Sequence, residues 1–271
     1  DPLWSRGLGD VYKRQVLNVD SNEFPYFSSI AKARGIRIID YGHTANDIRI
    51  EWIKAKPDGQ HLSIKVFGKR HDVHLTFLGK FQALNVLCAL GVAIACGDDA
   101  DKIIAVLPGL KSPPGRMELV AQTPNGAAIY VDYAHTPDAL RSLLNALRPH
   151  TMGKLSIVFG CGGERDRGKR PQMGLIAGNL ADRIYVSDDN PRSENAFSIR
   201  AEILKSCPNA IEVGDRAEAI NLAINDLCPD DILVIAGRGH ETSQVIGDRS
   251  LPFIDGAVAR KVISSIRGRF P

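Results

Sequence analysis

Ser187-Asp188-Asp189-Asn190-Pro191-Arg192-Ser193-Glu194 gathers carboxylates, an amide and a guanidinium into one polar stretch. It follows an apolar run, Arg183-Ile184-Tyr185-Val186, that reads as a buried strand, and it precedes Phe197–Leu204, which reads as a helix. In open α/β sheets, ligands bind in the loops at the carboxyl ends of strands. Pro191 stiffens this loop and holds Asn190 extended. Arg192 then projects from a fixed backbone, and its planar fork suits a carboxylate. The competing reading is a capped turn, in which Asp or Ser side chains close the next helix.

Two further strand-end loops share this character: Gly160-Cys161-Gly162-Gly163-Glu164-Arg165-Asp166-Arg167-Gly168-Lys169-Arg170 and Gly237-Arg238-Gly239-His240-Glu241. In a parallel sheet all of these loops open on one edge. Together they offer Arg165 and Arg192 as cationic forks, Glu241 as an anion, and exposed backbone at Gly237 and Gly239. That set complements a ligand bearing both carboxylate and ammonium, such as an amino acid. Gly160–Gly163 also fits a Gly-rich phosphate turn, although it lacks GxGxxG spacing. Arg167, Lys169 and Arg170 also fit a solvated face.

Asp132-Tyr133-Ala134-His135-Thr136-Pro137 is a fourth element. Thr136 as N-cap and Pro137 at the first helical position explain its end, but not Asp132 or His135. A carboxylate at Asp132 could hold a ribose hydroxyl, and Arg116, in Pro114-Gly115-Arg116-Met117-Glu118, could reach a phosphate. His135 reads equally well as structural or chemical. The 271 residues contain no GxxxxGK[ST] loop, no GxSxG, and no HExxH or paired metal spacing.

Strands at Ala127–Asp132, Leu155–Phe159, Ile184–Ser187, Ile211–Val213 and Ile232–Ala236 must position these loops. They alternate with helices at Pro137–Leu147, Pro171–Leu180, Phe197–Leu204, Arg216–Leu227 and Gly256–Ile266. The alternation predicts an α/β domain built on a Rossmann-like, doubly wound, mostly parallel sheet. Ahead of it, Ile48–Phe77 alternates apolar and polar residues around Pro57-Asp58-Gly59, which predicts an antiparallel meander with one wet face. Val16–Asp20 and Ile36–Ile39 read as strands flanking a helix, Asn22–Arg34, that Gly35 ends. Val86–Cys96 and Asp101–Leu107 read as further helices. Pro108-Gly109 and Pro113-Pro114-Gly115 bracket a rigid connection, which places a domain boundary near Met117 and divides the chain into 16–117 and 118–271. Residues 1–15 show no period and no initiator Met. They read as a disordered terminus or a foreign segment joined to a truncated gene, outside the fold.

Composition excludes several function classes. The chain is 44% hydrophobic and 24% charged, as expected of a soluble globular protein. Lys and Arg total 34 against 31 Asp and Glu, and a net charge of +3 is too mild to imply nucleic acid or an anionic membrane. An aromatic content of 6% also argues against a base-stacking surface. No apolar run reaches membrane-spanning length, and no secretory signal is seen. Cys88, Cys96, Cys161, Cys207 and Cys228 lack CxxC spacing and read as reduced and cytosolic, without disulfide or zinc.

G-R-M-E, V-D-Y-A-H-T-P-D-A-L, F-G-C-G-G-E-R-D-R-G-K-R-P, D-D-N-P-R-S-E, G-D-R-A-E-A-I and A-G-R-G-H-E closely resemble the Mur ligase family, and within it the members that add 2,6-diaminopimelate. The motifs come in family order, and the resemblance runs from about Val16 to the end. It implies a three-domain enzyme with an N-terminal UDP-sugar domain, a central ATPase domain and a C-terminal amino-acid domain. This chain looks like the C-terminal part of the central domain, meander included, followed by the whole C-terminal domain. The resemblance further implies a cytoplasmic ligase, monomeric at full length. Such an enzyme uses ATP and Mg2+ to join meso-2,6-diaminopimelate to UDP-N-acetylmuramoyl-L-Ala-D-Glu through an acyl phosphate, in peptidoglycan precursor synthesis.

Carried over by motif, Arg165, Asp189, Asn190, Pro191, Arg192, Gly237 and Glu241 match the amino-acid site. Arg192 within D-N-P-R marks diaminopimelate rather than lysine, because the distal carboxylate and ammonium of diaminopimelate need a fork and an acid. Asn85, Arg116 and Asp132 match positions contacting adenine, phosphate and ribose, and His135 stands beside the last of these. No catalytic residue or metal ligand is carried over. The family's P-loop, modified lysine and magnesium-holding acids would precede Val16 and are absent from this sequence. Gln82 stands where many members have Asn, and Arg238 where Lys is more frequent. The expectation is therefore that this polypeptide alone has no ligase activity. Two other readings remain: a stand-alone amino-acid-binding module, and a related Mur-type ligase that uses lysine, glutamate or another amino acid.

Overall fold

The computed structural model describes residues 13–267, which divide between Lys111 and Ser112 into two compact units. In the first, β1 (Arg14–Asn18), α1 (Phe24–Ala33), β2 (Arg37–Gly42), β3 (Ile48–Lys56), β4 (Gly59–Val66) and β5 (Lys69–Leu75) lead into α2 (Lys80–Cys96) and α3 (Ala100–Val106). The sheet order is β1-β2-β3-β4-β5, with β3, β4 and β5 antiparallel as the alternating pattern predicts. α2 starts before the predicted Val86, at Lys80. It buries Ala83, Val86, Leu87, Leu90 and Gly91, a stripe at helical spacing that lies on the sheet's apolar face.

Two boundaries need correction. Arg14 and Gln15 belong to β1, where they pair with Arg37 and Ile38, so the segment set aside as 1–15 overlaps the fold; residues 1–12 lie outside the described residues. The unit division precedes Met117. The Gly115 N–H donates to Glu118 Oε2 at 2.7 Å and the Met117 N–H to Asp132 Oδ2 at 2.8 Å, so the G-R-M turn is fastened to the second unit.

The second unit runs β6 (Glu118–Gln122), β7 (Ala128–Asp132), α4 (Pro137–Leu147), β8 (Leu155–Phe159), α5 (Lys169–Leu180), β9 (Arg183–Val186) and α6 (Ala196–Leu204). It continues with β10 (Ile211–Glu212), α7 (Arg216–Asn225), β11 (Ile232–Ala236), β12 (Ser243–Ile246), β13 (Arg249–Pro252) and α8 (Asp255–Arg267). Its main sheet has the order β10-β9-β8-β11-β7-β6, parallel except for β6, which pairs antiparallel with β7. Strand residues alternate between faces. Ile129, Val131, Val158, Tyr185, Leu233 and Ile235 pack on α7 and α8 through Ala219, Ile220, Ala223, Ala259 and Ile263. The buried residues between them, such as Tyr130, Ile157 and Val234, face the other way. A sheet buried on both faces needs nearly continuous apolar strands, which is how β8 and β11 read. The sequence reading missed β6 and the separate two-stranded hairpin β12–β13.

Candidate functional site

Four loops at the carboxyl ends of β7, β8, β9 and β11 enclose a cleft of about 500 Å³. β11 is inserted between β7 and β8 in the sheet, so chain order reverses there, and open sheets place ligands at such a reversal. The cleft is lined by Tyr133, His135, Arg165, Asp189, Asn190, Arg192, Gly237 and Glu241, among others. Three loops singled out by chemistry alone therefore converge on one volume.

Arg192 adopts a left-handed backbone at φ 52°. Its Nη1 donates to Gly163 O at 2.8 Å and Asn190 O at 3.3 Å, while Nε and Nη2 hold no protein partner among the described residues. One edge of the fork is thus anchored and the other remains available for a carboxylate. Asn190 is 6% exposed, and its Nδ2 donates to Glu241 Oε2 at 3.0 Å. Its Oδ1 accepts from Arg238 Nη1 and from the Val245 N–H, at 3.1 and 2.8 Å. Glu241 is thereby oriented with an oxygen left to receive an ammonium. Arg165 is exposed, and among the described residues its guanidinium reaches only Glu164 O, at 3.5 Å. Gly237 sits at φ 112°, and a Cβ there would lie 2.9 Å from Asp189 Oδ2. Pro191 does not line the cleft; its carbonyl lies 2.0 Å from where a Gly163 Cβ would be, so a side chain at Gly163 would push the two loops apart. Gly239, expected to expose its backbone, is instead buried against Gly115 and Tyr133. Cys161 lines the cleft, but burial pushes its thiol up to about 12, so it is no nucleophile near neutrality.

The rest of the D-D-N-P-R-S-E loop is scaffolding. Asp188 pairs with Arg200, and burial, opposed by that arginine, raises its carboxyl above the usual range. Glu194 accepts from buried Arg170 at 3.0 Å and from the Glu164 N–H at 2.5 Å. Arg170, read as fitting a solvated face, is completely buried, because it also pairs with Glu202 at 3.0 Å. Arg216 and Asp255 form a buried two-point pair at 2.7 and 2.9 Å. Arg238 is buried near this pair, and burial followed by the charge of Arg216 pulls it below the ordinary arginine range. It uses its fork: Nη2 donates to Ser243 O and Phe253 O, at 2.7 and 3.4 Å, while Nη1 holds Asn190.

Two family models match this chain: the Mur ligase middle domain over residues 8–93, and the Mur ligase, glutamate ligase domain over residues 115–239. The chain belongs to the Mur ligase family. A UDP-N-acetylmuramoyl-L-alanyl-D-glutamate–2,6-diaminopimelate ligase of Caulobacter vibrioides is 45% identical over 251 residues, 93% of this chain and 52% of the relative. The enzyme of the same name from Zymomonas mobilis is 47% identical over 234 residues, 85% of this chain and 48% of the relative. A solved structure of a ligase with this name superposes at a TM-score of 0.73 and 33% identity, covering 94% of this chain and 54% of that one. The chain spans about half the length of the curated relatives it matches.

Four residues matched to nucleotide positions of the Mur ligases are distributed differently. Asp132 Oδ2 and Oδ1 accept the Met117 and Ala134 N–H groups, each at 2.8 Å. Burial raises its carboxyl above the usual range, against those bonds and the nearby Arg116. Arg116 lies over the Tyr133 ring at 4.8 Å and makes no ion pair among the described residues. His135 Nδ1 lies 2.9 Å from Tyr133 O, and since a carbonyl can only accept, Nδ1 carries a proton and donates it there. Asn85 lies on α2 in the first unit, is not among the cleft residues, and donates to Gln82 Oε1 at 3.1 Å. Among the described residues, no group of three or more His, Cys, Asp or Glu could hold a metal ion. No helix among them is long and apolar enough to cross a membrane.

Sequence reasoning missed Tyr133, Arg170, Arg216 and Arg238. Arg170 and Arg216 did leave a signal, because both stand in the first turn of a helix, α5 and α7. A cation at the positive end of a helix is unfavourable unless an acid meets it.

Proposed function

We propose that this chain carries the amino-acid-accepting part of an ATP-dependent amide ligase. The enzyme would add meso-2,6-diaminopimelate to UDP-N-acetylmuramoyl-L-Ala-D-Glu in peptidoglycan precursor synthesis, in the cytoplasm. The observation that carries this reading is the pairing, within one cleft, of the half-anchored Arg192 fork with the Asn190-oriented Glu241 carboxylate. The distal carboxylate of diaminopimelate meets Arg192, and the distal ammonium meets Glu241 and the backbone at Gly237. Asp189 lends negative charge beside Gly237, and Arg165 meets the carboxylate nearer the new bond. Pro191 acts through the loop's stiffness.

ATP is the second substrate, and its γ-phosphate converts the dipeptide carboxylate to an acyl phosphate that the amine attacks. In the second unit, Arg116, Asp132 and His135 are the residues that would meet the nucleotide; Asn85, in the first, is assigned to it by the resemblance alone. The Tyr133 ring beneath Arg116 holds that cation in place without an ion pair. This reading assigns no Mg2+ ligand to the described residues.

A second reading rests on the cleft's lying wholly within the second unit: on its own, this polypeptide binds the amino acid without turnover. Calorimetry with diaminopimelate and with lysine tests the site. Diaminopimelate should bind and lysine should bind at least about tenfold more weakly, since it leaves Arg192 without a carboxylate. Equal affinities would favour a relative that adds another amino acid. Phosphate release by the purified chain with ATP, diaminopimelate and the UDP-muramoyl dipeptide would refute the second reading.

A further inference from the structure

The β12–β13 hairpin belongs to neither large sheet. All four residues of β13 are exposed, so apolar packing does not hold that strand. A two-stranded ribbon is marginal in water by itself. What fastens this one is a set of polar ties to the loop after β9. The Arg192 N–H donates to Val245 O at 3.2 Å, and the Gly247 N–H donates to Arg192 O at 2.8 Å, forming an isolated parallel bridge. The Val245 N–H donates to Asn190 Oδ1 at 2.8 Å. Gln244, 7% exposed, donates from Nε2 to Asp189 O at 2.6 Å. Arg238 joins the same assembly by holding Asn190 Oδ1, Ser243 O and Phe253 O together.

Each of Asp189, Asn190 and Arg192 is therefore tied to the hairpin. Arg192 is the residue most in need of it, because an L-residue in the left-handed region drifts toward other conformations unless its neighbours fix it. We propose that the hairpin is a splint that sets the ligand selectivity of the cleft, with Gln244 as its positioning residue. This rests on the diaminopimelate reading above. Gln244 touches no ligand; it holds the Asp189–Arg192 backbone so that the free edge of Arg192 and the Asn190–Glu241 pair stand at the separation a diacid with two ammonium groups requires. Without that tie the loop still exists, but its fork and its acid lose their fixed spacing. The coupling is reciprocal, so a ligand that holds the loop also holds the hairpin.

The test uses the whole chain and Gln244→Met, which keeps the side chain's length and removes its donor. In the variant, amide exchange at Arg192 and Val245 should quicken, while Leu233, Val234 and Ile235 of β11 exchange as before. Calorimetry should show diaminopimelate weakened about tenfold and lysine by less than about threefold, so that selectivity collapses. Adding diaminopimelate to the unmodified chain should slow exchange at Val245 and Gly247. Unchanged exchange at Arg192 in the variant overturns the splint whether or not any ligand binds. Equal loss for both ligands overturns its role in selectivity. If the unmodified chain binds neither ligand, the diaminopimelate reading fails, and the exchange comparison alone judges the mechanical role of Gln244.

Discussion

Arg192 combines an unfavourable backbone with a useful side chain, and the two can be separated. Its φ of 52° costs an L-residue roughly 1–2 kcal/mol, and glycine there would relieve it. Glycine would also loosen the unfolded chain by about 0.4–1 kcal/mol and remove the Nη1 bond to Gly163 O. These effects are similar in size and opposite in sign. Arg192→Gly should therefore leave the thermal midpoint almost unchanged while diaminopimelate binding falls at least about a hundredfold, as loss of a charge-assisted pair in a cleft implies. Glu241→Gln should weaken diaminopimelate at least about tenfold, because the ammonium loses its counter-charge, while the amide still accepts from Asn190 Nδ2. Calorimetry and a melting curve on each variant check both expectations. The composition of the strand-end loops was enough to single out Arg165, Arg192 and Glu241, since polar types at strand ends carry their chemistry openly, whereas Asn190 entered by the resemblance. The residues beneath them were not legible in the same way. Arg238 looks like any charged loop residue until its complete burial and its bonds to Asn190, Ser243 and Phe253 are seen.

Among elements, legibility followed burial. β8, α4 and β11 match their predicted limits because their apolar runs and end signals agree, as when Thr136 caps α4 and Pro137 opens it. No strand is predicted at β6, which follows two proline-rich turns and leaves Leu119 exposed on the sheet's edge. β13 carries no burial period at all, and without one a strand leaves no mark on the sequence. The loops after β8 and β9 are joined by Arg170, whose acids respond to pH. Glu194 is held below the usual carboxylate range by Arg170 and then by the Glu164 N–H. Glu202 is held below it by Arg167 first, with burial opposing and Arg170 assisting. Acids with depressed values stabilise the fold above their unfolded range, near 4.5, and this stability is lost as pH falls through the depressed values. The urea midpoint of the chain should therefore drop between pH 6 and pH 3. Arg170→Met should lower the midpoint at pH 6 and flatten its slope over that interval, which midpoints measured across a pH series would show. A slope unchanged by the substitution would place the acid sensitivity in other carboxylates, with Asp182, lowered by Arg148 and the Leu155 N–H against its burial, the first to examine.

At the scale of the molecule, the two units have separate apolar cores. One is built from residues between Ile39 and Leu107, around Ile48, Leu62, Ile64 and Leu87. The other is built from residues between Ala127 and Ile263, around Val131, Val158, Ile220 and Leu233. Among the described residues, no residue is shared between these two clusters. The cleft, its scaffolding arginines and the hairpin all lie within the second unit, and so does the G-R-M turn fastened to Asp132 and Glu118. The sequence marked the joint by its prolines but placed it near Met117, because the bonds that fasten the Gly115–Met117 turn to the second unit leave no compositional trace. A polypeptide of residues 112–271 should accordingly unfold in one cooperative urea transition. It should bind diaminopimelate within about threefold of the affinity of the whole chain, a difference of about 0.7 kcal/mol. Denaturation and calorimetry on the two polypeptides make the comparison directly. A broad, non-cooperative transition would mean that the second core is insufficient alone, whereas a sharp transition with lost affinity would mean that residues before Ser112 supply part of the amino-acid site.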